Sequence, residues 1–148
     1  QKAVSKLKSF GVETEVHVMS AHRTPTEAFE FAKNAAANGF GVIIAAAGMA
    51  AHLGGVLAAH TVLPVIGLPL KSAALDGMDA LLSTVQMPPG VPVATVGIDA
   101  AANAGTLAVQ ILALGDEELT RRLVESKEEM AETVREKDRK MQELAAAL

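Results

Sequence analysis

The chain contains no cysteine, tryptophan or tyrosine, and 4 phenylalanines are its only aromatics besides histidine. Without thiols it has no disulfide framework, no thiolate nucleophile and no cysteine-ligated metal. That composition fits a cytoplasmic setting, which is the expected localisation. Half of the residues are hydrophobic, so the core must be built from aliphatic and small side chains, as in a parallel sheet covered by alanine-rich helices. Positive charge is not in excess: 13 Lys and Arg stand against 17 Asp and Glu, for a net charge of −4. Such a chain gives no reason to expect nucleic acid or an anionic membrane as partner. The opening Gln1–Lys6 reads as part of an amphipathic helix, not as the apolar run of a signal peptide.

Charge is also missing locally. Asn34 to Leu70 holds no Asp, Glu, Lys or Arg, whereas Asp116 to Leu148 carries 17 charged residues against 13 in all that precedes. A membrane span is the rival reading of the uncharged stretch, and its punctuation excludes it. Gly39, Gly41, Gly48, Gly54, Gly55, Pro64, Gly67 and Pro69 cut it into pieces too short to cross a bilayer. Strand, loop, helix and strand buried on both faces account for it, with some faces covered by other subunits. At 148 residues the chain suits one domain. Residues 1–115 form its α/β core, and residues 116–148 a charged, amphipathic helix of the same domain.

Periodicity and punctuation predict the elements in turn. Lys2–Phe10 is helical with Gly11 as its stop, and Thr14–Met19 alternates as a strand. A helix then runs over Pro25–Asn38 to Gly39. Val42–Ala46 is a buried strand and Ala51–His60 a short helix. Val65–Leu68 is a strand, Gly77–Val85 a helix, Pro92–Gly97 the last strand and Ala100–Leu114 the helix after it. Asp116 caps the terminal helix. Strands and helices alternating at this spacing specify parallel βαβ units. The fold class is a three-layer α/β/α, flavodoxin-like parallel sheet with a long C-terminal helix.

Chemistry concentrates in Ser20-Ala21-His22-Arg23-Thr24-Pro25, where the first predicted strand hands over to a helix. Thr24 suits the N-cap, Pro25 the first helical position, and Glu27 would complete a capping box. His22 and Arg23 therefore lie at a strand's C-terminal end beside a helix N-terminus, where open α/β sheets bind ligands and anions are favoured. A side chain that titrates near neutrality next to a permanent cation points to proton transfer on an anionic substrate. On these residues alone a solvated loop is the competing reading.

S-A-H-R-T-P is followed in order by V-I-I-A-A-A-G-M-A-A-H-L at 42–53, P-V-I-G-L-P at 64–69, V-Q-M-P-P-G-V-P-V-A-T-V at 85–96 and A-N-A-G at 102–105. With these motifs in register from about Phe10 onward, the chain resembles the class I N5-carboxyaminoimidazole ribonucleotide mutase family of purine biosynthesis. That family is also catalogued as the catalytic subunit of phosphoribosylaminoimidazole carboxylase. The resemblance implies an isomerase of IMP biosynthesis that moves a carboxyl group from the exocyclic nitrogen to ring carbon 4 of a ribonucleotide. It implies no cofactor, no metal, and a homo-oligomer, an octamer. His22 falls on the family's catalytic histidine and Arg23 on its substrate-binding arginine. Ser20 and Ala21 fall beside them, and Ala47, Gly48 and Met49 on the second substrate-binding loop. Ala46 and Met49 stand where glycine is usual, and Gly54 where proline is usual.

The other histidines read differently. His52 reads as a helix-start residue bonded into its loop, and His17 and His60 as structural or solvated; their spacing makes no metal site. Asp76 and Asp79 read as helix caps, and Gln86–Gly90 as a rigid turn close enough to the strand ends to line a pocket. The rival functions are a carboxylase of the same fold using free CO2, the related domain of nickel-pincer cofactor synthesis, and a flavodoxin-like binding module without chemistry. Arginine after the histidine, with V-Q-M-P-P-G, favours the mutase. The family's pattern also has a strand and a glycine- and serine-rich phosphate loop ahead of the first helix. Without them the sheet is expected to show a gap between Thr14–Met19 and Val42–Ala46, with unpaired backbone inside, and weak activity.

Overall fold

A computed structural model describes residues 1–148. Helices α1 (Lys2–Ser9) and α2 (Pro25–Ala35) precede strand β1 (Ile43–Gly48), helix α3 (Leu53–Ala59) and strand β2 (Val65–Leu70). Helix α4 (Met78–Val85), the short strand β3 (Ala94–Thr95), α5 (Ala101–Leu112), a 3-10 turn at Ala113–Gly115 and α6 (Glu117–Ala146) complete the chain. The three strands pair in parallel in the order β1-β2-β3, with Ile43 opposite Val65 and Ile66 opposite Ala94.

Alternation along the strands builds the two sides of the core. Ile43, Ala45 and Val65 face α2 and α3, where Ala28, Ala32, Ala35 and Leu57 are buried. Ile66 and Leu68 face α1 and α5, against Leu7, Phe10, Ala104, Ala108 and Val109. Small helical residues let the helices lie close on the sheet, the packing that a chain without large aromatics requires. No helix is long and apolar enough to cross a membrane.

Helix ends follow sequence chemistry with two exceptions. Gly11 adopts φ 75°, and the amides of Gly11 and Val12 bond to Lys8 and Leu7 carbonyls at 2.9 and 3.1 Å, closing α1 in a Schellman motif. Arg122 then donates to the Phe10 and Ser9 carbonyls at 2.7 and 3.1 Å, tying α6 to the end of α1. Asp116 caps α6 by accepting from the Leu119 amide at 3.0 Å. The capping box expected at Thr24 does not form, because its hydroxyl bonds back to Ser20 instead. Asp76 and Asp79 do not cap α4 either. Gly77, at φ 92°, is its N-cap, while Asp76 pairs with Lys71 and Asp79 accepts from the Ser72 hydroxyl.

The largest departure is Thr14–Met19, which is extended but belongs to no sheet. No backbone–backbone hydrogen bond involves any residue from Glu13 to Met19. Between this segment and Val42–Ala46 runs an apolar trench of about 1230 Å³, floored by side chains such as Val4, Phe31, Leu57 and Leu112. Strand-forming sequence cannot make a strand without a neighbour to accept its hydrogen bonds. Val16 and Val18 are accordingly 72% and 100% exposed. The apolar side chains by which the long α6 packs on the core are Leu119 and Leu123, near its start. Its other large apolar side chains (Val124, Met130, Val134, Met141 and Leu144) are exposed, and ion pairs such as Arg135 with Glu128 and Glu132 line its surface.

Candidate active site

Two loops at the C-terminal ends of the extended segments face each other across a cavity of about 370 Å³. One loop, Ser20 to Thr24, folds on itself. The Ser20 amide donates to Thr24 Oγ1 at 2.8 Å, and the Thr24 amide donates to the Ser20 carbonyl at 2.9 Å. Ser20 Oγ in turn accepts from the amides of His22 and Arg23 at 3.3 and 3.1 Å. Thr24 and Ser20 thus fix the backbone from which the His22 and Arg23 side chains project, and the Ser20 hydroxyl keeps its own hydrogen to donate.

The other loop continues β1 through Ala46, Ala47, Gly48, Met49 and Ala50 to His52, all lining the same cavity. Minimal side chains here let a ligand approach the backbone. Met49 takes φ 56°, the left-handed conformation that glycine adopts without strain, which accounts physically for a glycine preference at this position.

The structure brings together every expected site residue: Ser20, Ala21, His22, Arg23, Ala47, Gly48 and Met49 all line the cavity. It adds His52, whose Nδ1 lies 2.9 Å from His22 Nε2, with the two rings edge to face at a centroid distance of 5.0 Å. His52 therefore bonds across the cavity to His22 instead of into its own loop. Sequence gave one clue to this, since both residues follow the C-terminal end of an extended segment. Gln86–Gly90 does not line this cavity; Met87 packs instead against Gly55 of α3. His60 bonds the Val56 carbonyl at 2.7 Å and packs on Phe29, and His17 sits beside Glu15 and Phe31.

No carboxylate lines the cavity, whereas Arg23 and two imidazoles do, so the site suits an anion. No group of three or more His, Asp or Glu side chains converges anywhere in the fold as a metal would need.

Comparison with known proteins agrees with the loop motifs. Residues 1–133 match the family model described as AIR carboxylase. The N5-carboxyaminoimidazole ribonucleotide mutase of Methanocaldococcus jannaschii is 56% identical over 144 residues, covering 97% of this chain and 89% of that protein. The mutase of the same name from Mycobacterium leprae is 53% identical over 148 residues, 100% of this chain and 86% of that one. The crystal structure of Treponema denticola PurE superimposes with a TM-score of 0.86 at 30% identity, over 94% of this chain and 87% of that one. A family match along most of the sequence, relatives more than half identical, and a shared three-layer fold together show that the chain belongs to the AIR carboxylase family.

Proposed function

We propose that the chain is an N5-carboxyaminoimidazole ribonucleotide mutase, with His22 as the catalytic acid–base group. The observation that carries this reading is one imidazole and one guanidinium held on a self-bonded loop, facing a small-residue loop across a cavity free of carboxylates. The reaction breaks the bond between the carboxyl carbon and the exocyclic nitrogen and forms one between that carbon and ring carbon 4. Carbon 4 loses a proton and the nitrogen gains one, so a single group able to give and take a proton serves both ends. We assign that exchange to His22, which lines the cavity. Arg23 offers paired donors to phosphate or carboxylate, Ser20 a hydroxyl, and Ala47, Gly48 and Met49 backbone close to the carboxyl or to CO2 in transit. Arginine next to the histidine, and the mutase name borne by relatives more than half identical to this chain, favour transfer from the carbamate over capture of free CO2.

The working form we propose is a cytoplasmic homo-oligomer, an octamer, in which neighbouring subunits cover the exposed apolar positions of α6. The test is conversion of the carbamate ribonucleotide by the parent and by His22→Asn, with mass measured by light scattering. Loss of acid–base function costs on the order of 10²–10⁴ in rate, and the variant should keep both assembly mass and ligand binding. Near-parental turnover in the variant removes His22 from the mechanism, and a monomer mass in the parent removes the assembly.

A further inference from the structure

The loop that carries His22 and Arg23 holds itself together. The amides of Ser20, His22, Arg23 and Thr24 all find acceptors inside the loop, on Ser20 or Thr24 themselves. The segment that leads into it, Glu13 to Met19, makes no backbone–backbone hydrogen bond, so no pairing upstream fixes its geometry. Thr24 closes the loop: its hydroxyl accepts from the Ser20 amide at 2.8 Å and donates to the Ser20 carbonyl at 3.2 Å. Thr24 itself does not line the cavity.

The same hydroxyl has a second set of partners within reach of the sequence. Thr24-Pro25-Thr26-Glu27 is a complete capping box, in which Thr24 Oγ1 accepts from the Glu27 amide and the Glu27 carboxylate accepts from the Thr24 amide. Neither bond is made here. Helix α2 has no side-chain cap, the Glu27 amide finds no backbone acceptor, and the Thr24 amide is engaged by the Ser20 carbonyl at 2.9 Å.

We propose that Thr24 is a positioning residue for His22 and Arg23, a latch whose hydroxyl holds Ser20 in the ligand-ready loop and passes to the α2 N-cap in a released one. The proposal rests on the roles given above to His22 and Arg23. Passage between the two forms gives up three hydrogen bonds to Ser20, makes two with Glu27, and leaves the Ser20 amide and carbonyl to water. Each such bond contributes little net where water can replace it, and the unpaired Glu13–Met19 segment supplies the slack. Substrate that touches His22 and Arg23 together binds the held form and draws the loop into it; the released form lets product leave.

The experiment compares the full chain with Thr24→Val, Thr24→Ser and Glu27→Ala. It measures steady-state kinetics on the carbamate ribonucleotide and hydrogen exchange of the Met19–Ala28 amides. Valine keeps the shape of threonine and lacks the hydroxyl, so exchange at Ser20 to Thr24 should quicken. Its kcat/KM should fall by about 10–100-fold, the scale of loss when reacting groups shift by about 1 Å. Both kcat and KM should worsen, because His22 and Arg23 move together. Serine keeps the hydroxyl and should recover most of kcat/KM and the parental exchange. Glu27→Ala removes only the competing partner, so exchange at Ser20 to Thr24 should slow and kcat/KM should hold or rise. A residue that merely capped α2 would make Thr24→Val and Glu27→Ala fail alike, whereas a latch gives them opposite signs. Parental exchange in Thr24→Val overturns the proposal, as does an equal loss in the Val and Ser variants, or a loss in Glu27→Ala that matches Thr24→Val. A parent without turnover of the carbamate refutes the mutase reading, and the exchange rates then decide the latch by themselves.

Discussion

The two flanks of β1 have equally good strand sequences and opposite fates. On one side β2 is paired along its whole length, Ile66 is fully buried, and a Cβ added at Gly67 would lie 2.3 Å from the Thr84 side chain. On the other side Thr14–Met19 alternates as a strand should, yet its backbone pairs with no other backbone and Val18 is completely exposed. The difference lies in the neighbour and not in the residues. A helix satisfies its own backbone, but a strand is a property of a pair. The proposed chemistry hangs from the end of the loose flank, at Ser20 to Thr24, and faces the end of β1 itself.

Adding a strand to this flank should produce the largest effect. Gln1 lines the trench, so a Val- and Ile-rich strand joined ahead of it through a short Gly/Ser linker can lie between Thr14–Met19 and β1. Each hydrogen bond gained contributes roughly 0.5–1.5 kcal/mol net, so a ladder on both edges should raise stability by an amount on the order of 5 kcal/mol. The amides of Glu13 to Met19 should then become protected from hydrogen exchange, and turnover should rise as the His22 loop is held. Unprotected amides in the extended chain would mean that the trench does not accept a strand.

A pair of truncations sharpens the contrast. Ile66→Ala removes a fully buried side chain between the sheet and α5 and should cost about 2–5 kcal/mol. Val18→Ala removes one that is 100% exposed and should stay within about 0.5 kcal/mol. Denaturant unfolding of both variants measures this; a cost above 1 kcal/mol for Val18→Ala would show that the flank is closed in solution, as neighbouring chains in an assembly could make it.

Much of this was legible in the sequence, for reasons that differ by element. Gly11, Gly39 and Asp116 mark helix boundaries because their backbone or side-chain chemistry acts locally. The parallel order follows from the alternation of elements. The gap beside Thr14–Met19 was legible only through the family resemblance, since nothing in T-E-V-H-V-M says whether a partner is present. At the site, the seven expected residues share a cavity because each sits at, or just past, the C-terminal end of an extended segment. His52 was misjudged because its partner is thirty residues away, and no local signal reports a contact between two loops. Thr24 was misjudged because two bonding options, capping α2 or holding Ser20, compete for one hydroxyl and only the fold chooses.

The smallest expected effect lies at Met49, just past the end of β1 and lining the same cavity. Its φ of 56° is a conformation that costs a side-chain-bearing residue about 1–2 kcal/mol. Because the side chain is 66% exposed, little packing offsets that strain. Met49→Gly removes the strain but loosens the unfolded chain, which returns part of the gain. The net should be a stabilisation of a few tenths of a kcal/mol up to about 1 kcal/mol, a rise in Tm of roughly 2 °C for a chain of this size. The substitution also leaves the β1 loop with less bulk toward the ligand, so KM should fall or hold while kcat is kept, His22 and His52 being untouched. Thermal unfolding together with steady-state kinetics checks both parts. A loss of stability would show that Met49 packs against a surface the single chain does not expose. A rise in KM would show that its side chain, and not only the backbone beneath it, holds the substrate.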